Sequence, residues 1–255
     1  MNQYGNSIAV IHAHPDDTEA WCSGTLFLLA EKGWNIHLAT MTAGGLGGVH
    51  TGYEETIRIR KEEAEEAARI LGATYHCFDQ PDGYLFDNRE IRIAVTSWLR
   101  YVRAGIVLTH LPWDYHSDHR AAASLVEAAA MSSTLPNVPA DITPLNNTPL
   151  LYHTTPMTLT DAVGSPFPSP HFYVDISSVM EKKMEMLSCH RSQIELMSMM
   201  QGMDDFFQRT REYNHMLGRR AGTDYAECFW QHVGGGFSND PTLQKELQEY
   251  ITIPH

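Results

Sequence analysis

The sequence predicts an α/β fold, a Rossmann-like three-layer α/β/α sandwich around a mostly parallel sheet, and three features lead to it. Short apolar runs rich in β-branched residues alternate with amphipathic helical stretches along the first half of the chain. Those runs are apolar throughout rather than at every second residue, as expected of strands covered on both faces. Glycines stand where the helical patterns stop.

The first strand is read at residues 7–13 (SIAVIHA), ended by the loop that Pro15 opens. A helix is expected from Cys22 to Lys32, closed by Gly33, and a second strand over Asn35 to Met41 completes a βαβ unit. The longest helical pattern covers Glu54 to Leu71, with Ile57, Ala64, Ala67, Ala68 and Leu71 on one face and Gly72 as its stop. A third strand follows at Thr74 to Phe78, then a PDG turn at residues 81–83, a helix from Arg89 to Val102 and a fourth strand over Gly105 to His110. Beyond a helix near residues 120–131 the pattern breaks, because eight of the thirteen prolines fall between Leu135 and Pro170. That segment, residues 135–170, is expected to form surface loops with short strands near the functional site. Helical patterning returns at residues 177–190 and in a Met-rich stretch reaching about Gly218, after which little pattern remains.

At 255 residues, with 43% hydrophobic and 19% charged residues, the chain 1–255 is read as a single domain with a sizeable core. Thirty-one acidic against 18 basic residues leave a formal charge of -13, a field that repels phosphate backbones and anionic membranes. A small-molecule partner is expected, not nucleic acid or a membrane. Cys22, Cys77, Cys189 and Cys228 show no CxxC spacing and are read as buried thiols of a reducing compartment. No basic leader precedes a long apolar run, so the cytoplasm is the expected location.

In an open α/β sheet, ligands bind beyond the carboxyl ends of the strands, so the residues following the first and fourth strands should share one crevice. The first segment reads AHPDDTE, with His14, Asp16, Asp17 and Glu19; the second holds His110, Asp114, His116, Asp118 and His119. A catalytic zinc typically takes three protein ligands from histidines and carboxylates and keeps a position for water, and His14, Asp17 and His119 would supply such a set. Asp16, adjacent to a ligand, is placed to take the proton of the attacking water. His116 is expected to act as the acid in its cationic form, with Asp118 as the negative neighbour that raises its pKa. These parts suit hydrolysis of an amide. Zn2+ is the expected ion, and Fe2+ or another divalent metal is compatible with the same donors.

AHPDDTE after the first strand and HSDH at residues 116–119 resemble the PIG-L/LmbE superfamily of N-acetylglucosaminyl deacetylases. Further similar segments follow in order: the helix that continues from Arg60, the PDG turn, VLTH before HSDH, and Val174 to Gln193, together spanning about residues 7–195. The resemblance implies His14, Asp17 and His119 as zinc ligands, Asp16 as general base, His116 as acid or oxyanion stabiliser, and Asp118 as the residue orienting His116. It also implies substrate contacts for Arg60 and His190. The implied activity is removal of the N-acetyl group from a 2-acetamido sugar, a chito-oligosaccharide or a GlcNAc conjugate, with release of acetate. Alternatives are an amidase for another sugar-linked acyl amide, such as a thiol conjugate, and a noncatalytic sugar-binding relative, which would need neither Asp16 nor His116. The chain departs from the family where many members carry TxGExG, having Thr42-Ala43-Gly44-Gly45-Leu46-Gly47-Gly48 instead.

Other features read as structural. The Gly44 to Gly48 loop lacks a phosphate-binding fingerprint and is taken as a flexible edge of the site. His12 and His37 are expected to pack inside strands, while His50, His76, His153, His171 and His215 have no evident partner in the sequence. Met197, Met199, Met200 and Met203 suit a core or a homo-oligomer interface. Trp113 and Tyr115 are read as packing residues or as a platform for a sugar face.

Overall fold

A computed structural model describes residues 3–199 and 205–254 of the chain. Among the described residues there are eight strands: β1 (Ser7–His12), β2 (Asn35–Thr42), β3 (Thr74–Gln80), β4 (Ile106–His110), β5 (Leu150–Thr154), β6 (Phe172–Asp175), β7 (Ala226–Gln231) and β8 (Ile251–Thr252). They form one sheet in the order β3-β2-β1-β4-β5-β7-β6-β8. The neighbours from β3 to β5 pair in parallel; β7 pairs antiparallel with both β5 and β6, and β8 antiparallel with β6. The chain runs outward from β1 to β3 and returns to the other side of β1 at β4. The fold thus has its topological switch point between β1 and β4.

The helices are α1 (Asp17–Trp21), α2 (Ser23–Glu31), α3 (Tyr53–Leu71), α4 (Arg89–Tyr101), α5 (Ser117–Ser132), α6 (Met180–Leu187), α7 (Arg191–Met199), α8 (Phe206–Ala221) and α9 (Thr242–Glu246). β1 shows why its run is apolar throughout. Ile8 and Val10 enter a core with Leu26 and Leu29 of α2, Ala67 and Leu71 of α3 and Leu187 of α6. Ala9 and Ile11 point the other way, into a second core with Val95 and Leu99 of α4 and Leu125 and Val126 of α5. The three-layer sandwich follows directly from that two-sided burial.

The helix expected from Cys22 to Lys32 is α2, and a short helix not expected from the sequence, α1, precedes it from Asp17. No side chain of α2 caps its own amino end. Glu227 of β7 does so instead, accepting from the Gly24 and Thr25 amides at 2.9 and 2.8 Å. Lys183 of α6 completes this buried cluster, its Nζ donating to Glu227 Oε1 at 2.6 Å and to the Ala20 carbonyl at 2.8 Å.

The proline-rich segment divides in two, which corrects the expectation that all of it borders the site. Arg100, fully buried at the end of α4, donates to the carbonyls of Ser133, Leu135 and Ile142. Asn147 bonds to the Gln3 carbonyl and Leu150 to that of Gly105. Residues 133–149 therefore lie by the amino ends of β1 and β4, opposite the switch-point crevice, and only the part after β5 leaves from the carboxyl side. Among the described residues no helix is long and apolar enough to cross a membrane. Met197 is half-buried and Met199 exposed on α7; Met200 and Met203 lie outside the described residues.

Candidate active site

The carboxyl ends of β1 and β4 deliver the two acidic and histidine-rich segments to one place. After β1 the chain turns through His14, Pro15 and Asp16 into α1. Asp16 occupies the position before the helix with φ 100° and makes no side-chain capping bond. Its carboxylate is left for other use. Asp17 opens the helix and accepts from the His14 amide at 2.8 Å through Oδ2. After β4, His116 precedes α5 and its Nδ1 accepts from the Asp118 amide at 3.2 Å, while His119 lies in the first turn.

Asp17 stands between two imidazoles, Oδ2 3.5 Å from His14 Nδ1 and Oδ1 3.6 Å from His119 Nε2. On the far side of each ring is another carboxylate. His119 Nδ1 donates to Asp114 Oδ1 at 2.9 Å, and His14 Nε2 lies 3.2 Å from Asp82 Oδ1 and 3.5 Å from Asp118 Oδ2. A carboxylate only accepts, so these contacts hold a proton on each outer nitrogen and leave the inner nitrogens, which face Asp17, as the ones a metal would take. A tetrahedral ion with bonds of about 2.0–2.1 Å holds its donors about 3.3 Å apart. Asp17 approaches that spacing to each imidazole, through a different oxygen for each. Among the described residues, the donor groups that lie within 4.8 Å of one another are His14, His116 and His119; Asp17, His110 and His119; and His14, Asp82 and Asp118. The residues present therefore fit a divalent metal.

Electrostatics separates the two neighbouring aspartates. Burial alone would raise Asp17, but His119, His14 and His110 outweigh it and hold the carboxyl well below its usual range. Asp16 is pushed up to about 7, by burial first and then by the Asp17 charge, against the pull of Arg60. A carboxylate poised near neutrality is what a general base requires. Burial would lower His14, yet Asp118, Asp17 and Asp82 overcome it and raise the ring well above its usual value. The spot favours a cation, and a metal there would displace a proton.

Two expectations need correction, and two further residues are placed by the fold. His116 is not held cationic: burial, then His119 and His14, lower its pKa, and the Asp118 charge is too weak to reverse this. With Nδ1 accepting, the neutral ring carries its proton on Nε2. The Asp118 carboxylate does not orient His116 but accepts from the Gly83 amide at 2.8 Å and faces His14. Arg60 and His190, expected as substrate contacts, are both buried. Arg60 donates to the Gly44 and Pro15 carbonyls, each at 3.0 Å. His190 Nε2 lies 3.3 Å from Glu19 Oε1 at ion-pair distance, without hydrogen-bond alignment.

Two residues of this site carry no assigned role from the sequence. Asp114, fully buried, ties His119 to the loop by also accepting from the His116 amide at 2.9 Å. Asp82, read only as part of a turn, accepts from the Leu46 amide at 2.9 Å and backs His14. Their signal was an aspartate in each loop at a strand's carboxyl end. His110 joins them, its Nε2 accepting from the Ala13 amide at 2.8 Å and its ring stacked on His119 at 4.1 Å. Trp113 and Tyr115 are half exposed, and the Tyr115 ring lies beside His116 and His119. His12 has structural partners, Thr18 and Thr154, and His153 donates from Nδ1 to the His110 carbonyl.

Comparison with known proteins bears on the same segments. The family model for PIG-L, GlcNAc-PI de-N-acetylase, matches residues 9–130. A diacetylchitobiose deacetylase of Thermococcus kodakarensis is 34% identical over 194 residues, covering 73% of this chain and 69% of the relative. A 4-oxalmesaconate hydratase of Pseudomonas putida is 28% identical over 207 residues, 77% of each chain. Among solved structures, an N,N'-diacetylchitobiose deacetylase from Pyrococcus horikoshii superposes with a TM-score of 0.78 at 26% identity, covering 92% of this chain and 87% of that one.

Proposed function

Since the chain belongs to the PIG-L/LmbE family, we propose that it is a metal-dependent N-deacetylase that removes the acetyl group from a 2-acetamido sugar and releases acetate. The observation that carries this reading is the pairing of a carboxylate-backed donor set, His14, Asp17 and His119, with an adjacent Asp16 whose carboxyl is raised to about 7. Zinc is the proposed ion, as the donors are two imidazoles and one carboxylate. When bound, it supplies Lewis-acid polarisation of the amide oxygen and acidifies a water.

The remaining work falls to the chain's own groups. Asp16 takes the proton of the attacking water and returns it to the leaving amine, which suits a carboxyl that titrates near neutrality. His116, neutral and protonated on Nε2, donates a hydrogen bond to the oxygen that gains charge as the carbonyl becomes tetrahedral. Asp114, Asp82 and Asp118 hold the two ligand imidazoles in their tautomers. Half-exposed Trp113 and Tyr115 offer apolar faces to a pyranose ring.

The hydratase relative supports a second reading, addition of water to an anionic substrate. Against it, the crevice gathers Asp16, Asp17, Asp82 and Asp118. An uncharged acetamide is the better fit to that field. An acetate-release screen of zinc-loaded protein over N-acetylated mono- and disaccharides and their conjugates tests the proposal. Acetate formed with loss of the N-acetyl signal supports it; turnover of an unsaturated carboxylate with no acetate from any sugar sinks it.

A further inference from the structure

The loop after β2 closes on the inner stripe of α3, and it does so through glycines. Tyr53, Thr56 and Arg60 are spaced i, i+3, i+7 and share one face of that helix. A Cβ at Gly48 would stand 2.2 Å from Thr56 Oγ1, and one at Gly47 would stand 2.8 Å from Arg60 Nη1. A Cβ at Gly45 would stand 2.6 Å from Tyr53 Cε2 and 2.9 Å from its Cδ2 and Cζ. Gly45 holds the place of the glutamate in the TxGExG pattern of many family members. In this chain the Tyr53 ring fills the space where that side chain would begin.

That spot borders the crevice. α3 starts on the carboxyl side of the sheet, after β2, and Tyr53 is its first residue. Leu46, next to Gly45, donates its amide to Asp82 Oδ2 at 2.9 Å, and Oδ1 of the same carboxylate lies 3.2 Å from His14 Nε2. One carboxylate therefore separates the loop from the His14 ring. Leu46 and Tyr53 are nonetheless 59% and 39% exposed, two apolar surfaces left in water beside a polar site. Because β2 and β4 flank β1, this pair and the loop of Trp113 and Tyr115 lie on opposite sides of the His14 to Asp17 turn.

We propose that Tyr53, with Leu46, is a specificity-determining wall of the crevice, taking the apolar face of a second, uncharged pyranose linked to the sugar whose acetamide reacts. A carboxylate at that place would select hydroxyls or a cation, whereas an aromatic ring selects a flat apolar face and gives an anionic group no partner. The proposal rests on the deacetylase reading and narrows its substrate class from any N-acetylated sugar conjugate to a chito-disaccharide or longer chain.

The test compares acetate release from N-acetylglucosamine and from N,N'-diacetylchitobiose by the zinc-loaded full chain. The wild type should favour the disaccharide. In Tyr53→Ala the disaccharide-to-monosaccharide ratio of kcat/KM should fall about tenfold, the effect of returning about 55 Å² of apolar surface to water. Tyr53→Phe, which keeps the ring, should hold the ratio within about twofold. Gly45→Ala, whose methyl would push the ring aside, should lower the ratio with Tyr53 intact and provides a second route if Tyr53→Ala does not fold. An unchanged ratio in either folded variant overturns the proposal. So does an equal loss on both sugars, which is what a merely structural role would give, a wild type that favours the monosaccharide, or failure of both variants to fold. A wild type that releases no acetate from either sugar refutes the function reading instead. Calorimetric titration of diacetylchitobiose into zinc-loaded wild type and Tyr53→Ala then decides the wall by itself: about tenfold weaker binding in the variant supports it, and equal affinity or no binding to the wild type overturns it.

Discussion

Removing the Asp114 carboxylate isolates the contribution of a single outer contact to the proposed metal site. Asp114 is fully buried, and its Oδ1 accepts from His119 Nδ1 and from the His116 amide, both at 2.9 Å. In Asp114→Ala the His119 ring loses the acceptor that keeps its proton on Nδ1, so the proton can move to Nε2, the atom facing Asp17. Loss of such a carboxylate typically costs about 10–100-fold in metal affinity. That corresponds to about 1.4–2.8 kcal/mol of binding energy. Stability should fall by about 1–3 kcal/mol, because two buried donors are left unpaired while a buried carboxylate with an unpartnered Oδ2 is removed. Asp114→Asn, which keeps an acceptor but not the charge, should fall between. Zinc affinity is measured by competition with a chromophoric chelator, with a circular dichroism melt to check folding. A folded Asp114→Ala that binds zinc as tightly as the wild type would refute the view that this contact sets the ligand tautomer.

Lys183→Met leaves the buried Glu227 carboxylate with the two α2 amides but no cation, and urea unfolding should register a loss of about 3 kcal/mol; a loss below about 1 kcal/mol, on the order of a surface pair, would contradict this. Arg100→Ala removes three donors from the 133–142 loop, and limited proteolysis should then cut within it, unlike in the wild type. His153, buried and held neutral, has its pKa lowered to about 4 by burial. Its folded pKa lies below the unfolded value of about 6.5, so the unfolded chain binds the proton first and stability declines as pH falls from about 6.5 toward 4, by up to about 3 kcal/mol. His153→Phe should flatten that part of the stability profile, and an identical slope in both proteins would remove His153 as its cause.

The sequence allowed some parts of this molecule to be read and concealed others for physical reasons. β1 to β4 and the helices between them were legible because each is a continuous apolar run or a periodic face that local packing dictates. β5, β6 and β7 were not individually placed: β5 follows a run of prolines, and the pairing of β7 between β5 and β6 depends on partners far along the chain. α1 is too short to carry a periodic signal of its own, and the cap of α2, Glu227, lies some 200 residues away. At the site, donor chemistry at two strand ends makes His14, Asp16, Asp17 and His119 candidates, and the fold brings them together. Asp118 was matched to the wrong histidine because adjacency in sequence favoured His116, whereas α5 turns its carboxylate toward His14. Arg60 offered no local sign that a glycine loop would close around it.

The central claim is that Asp16 activates water for deacetylation beside a metal held by His14, Asp17 and His119. Asp16→Asn keeps the size of the side chain and removes its ability to accept a proton. Acetate release per zinc-loaded molecule, measured for this variant beside the wild type, is the most direct test. Acetate is expected from the wild type, with a rate lower by about 100-fold or more in Asp16→Asn at unchanged zinc content. Equal rates in the two proteins would contradict it.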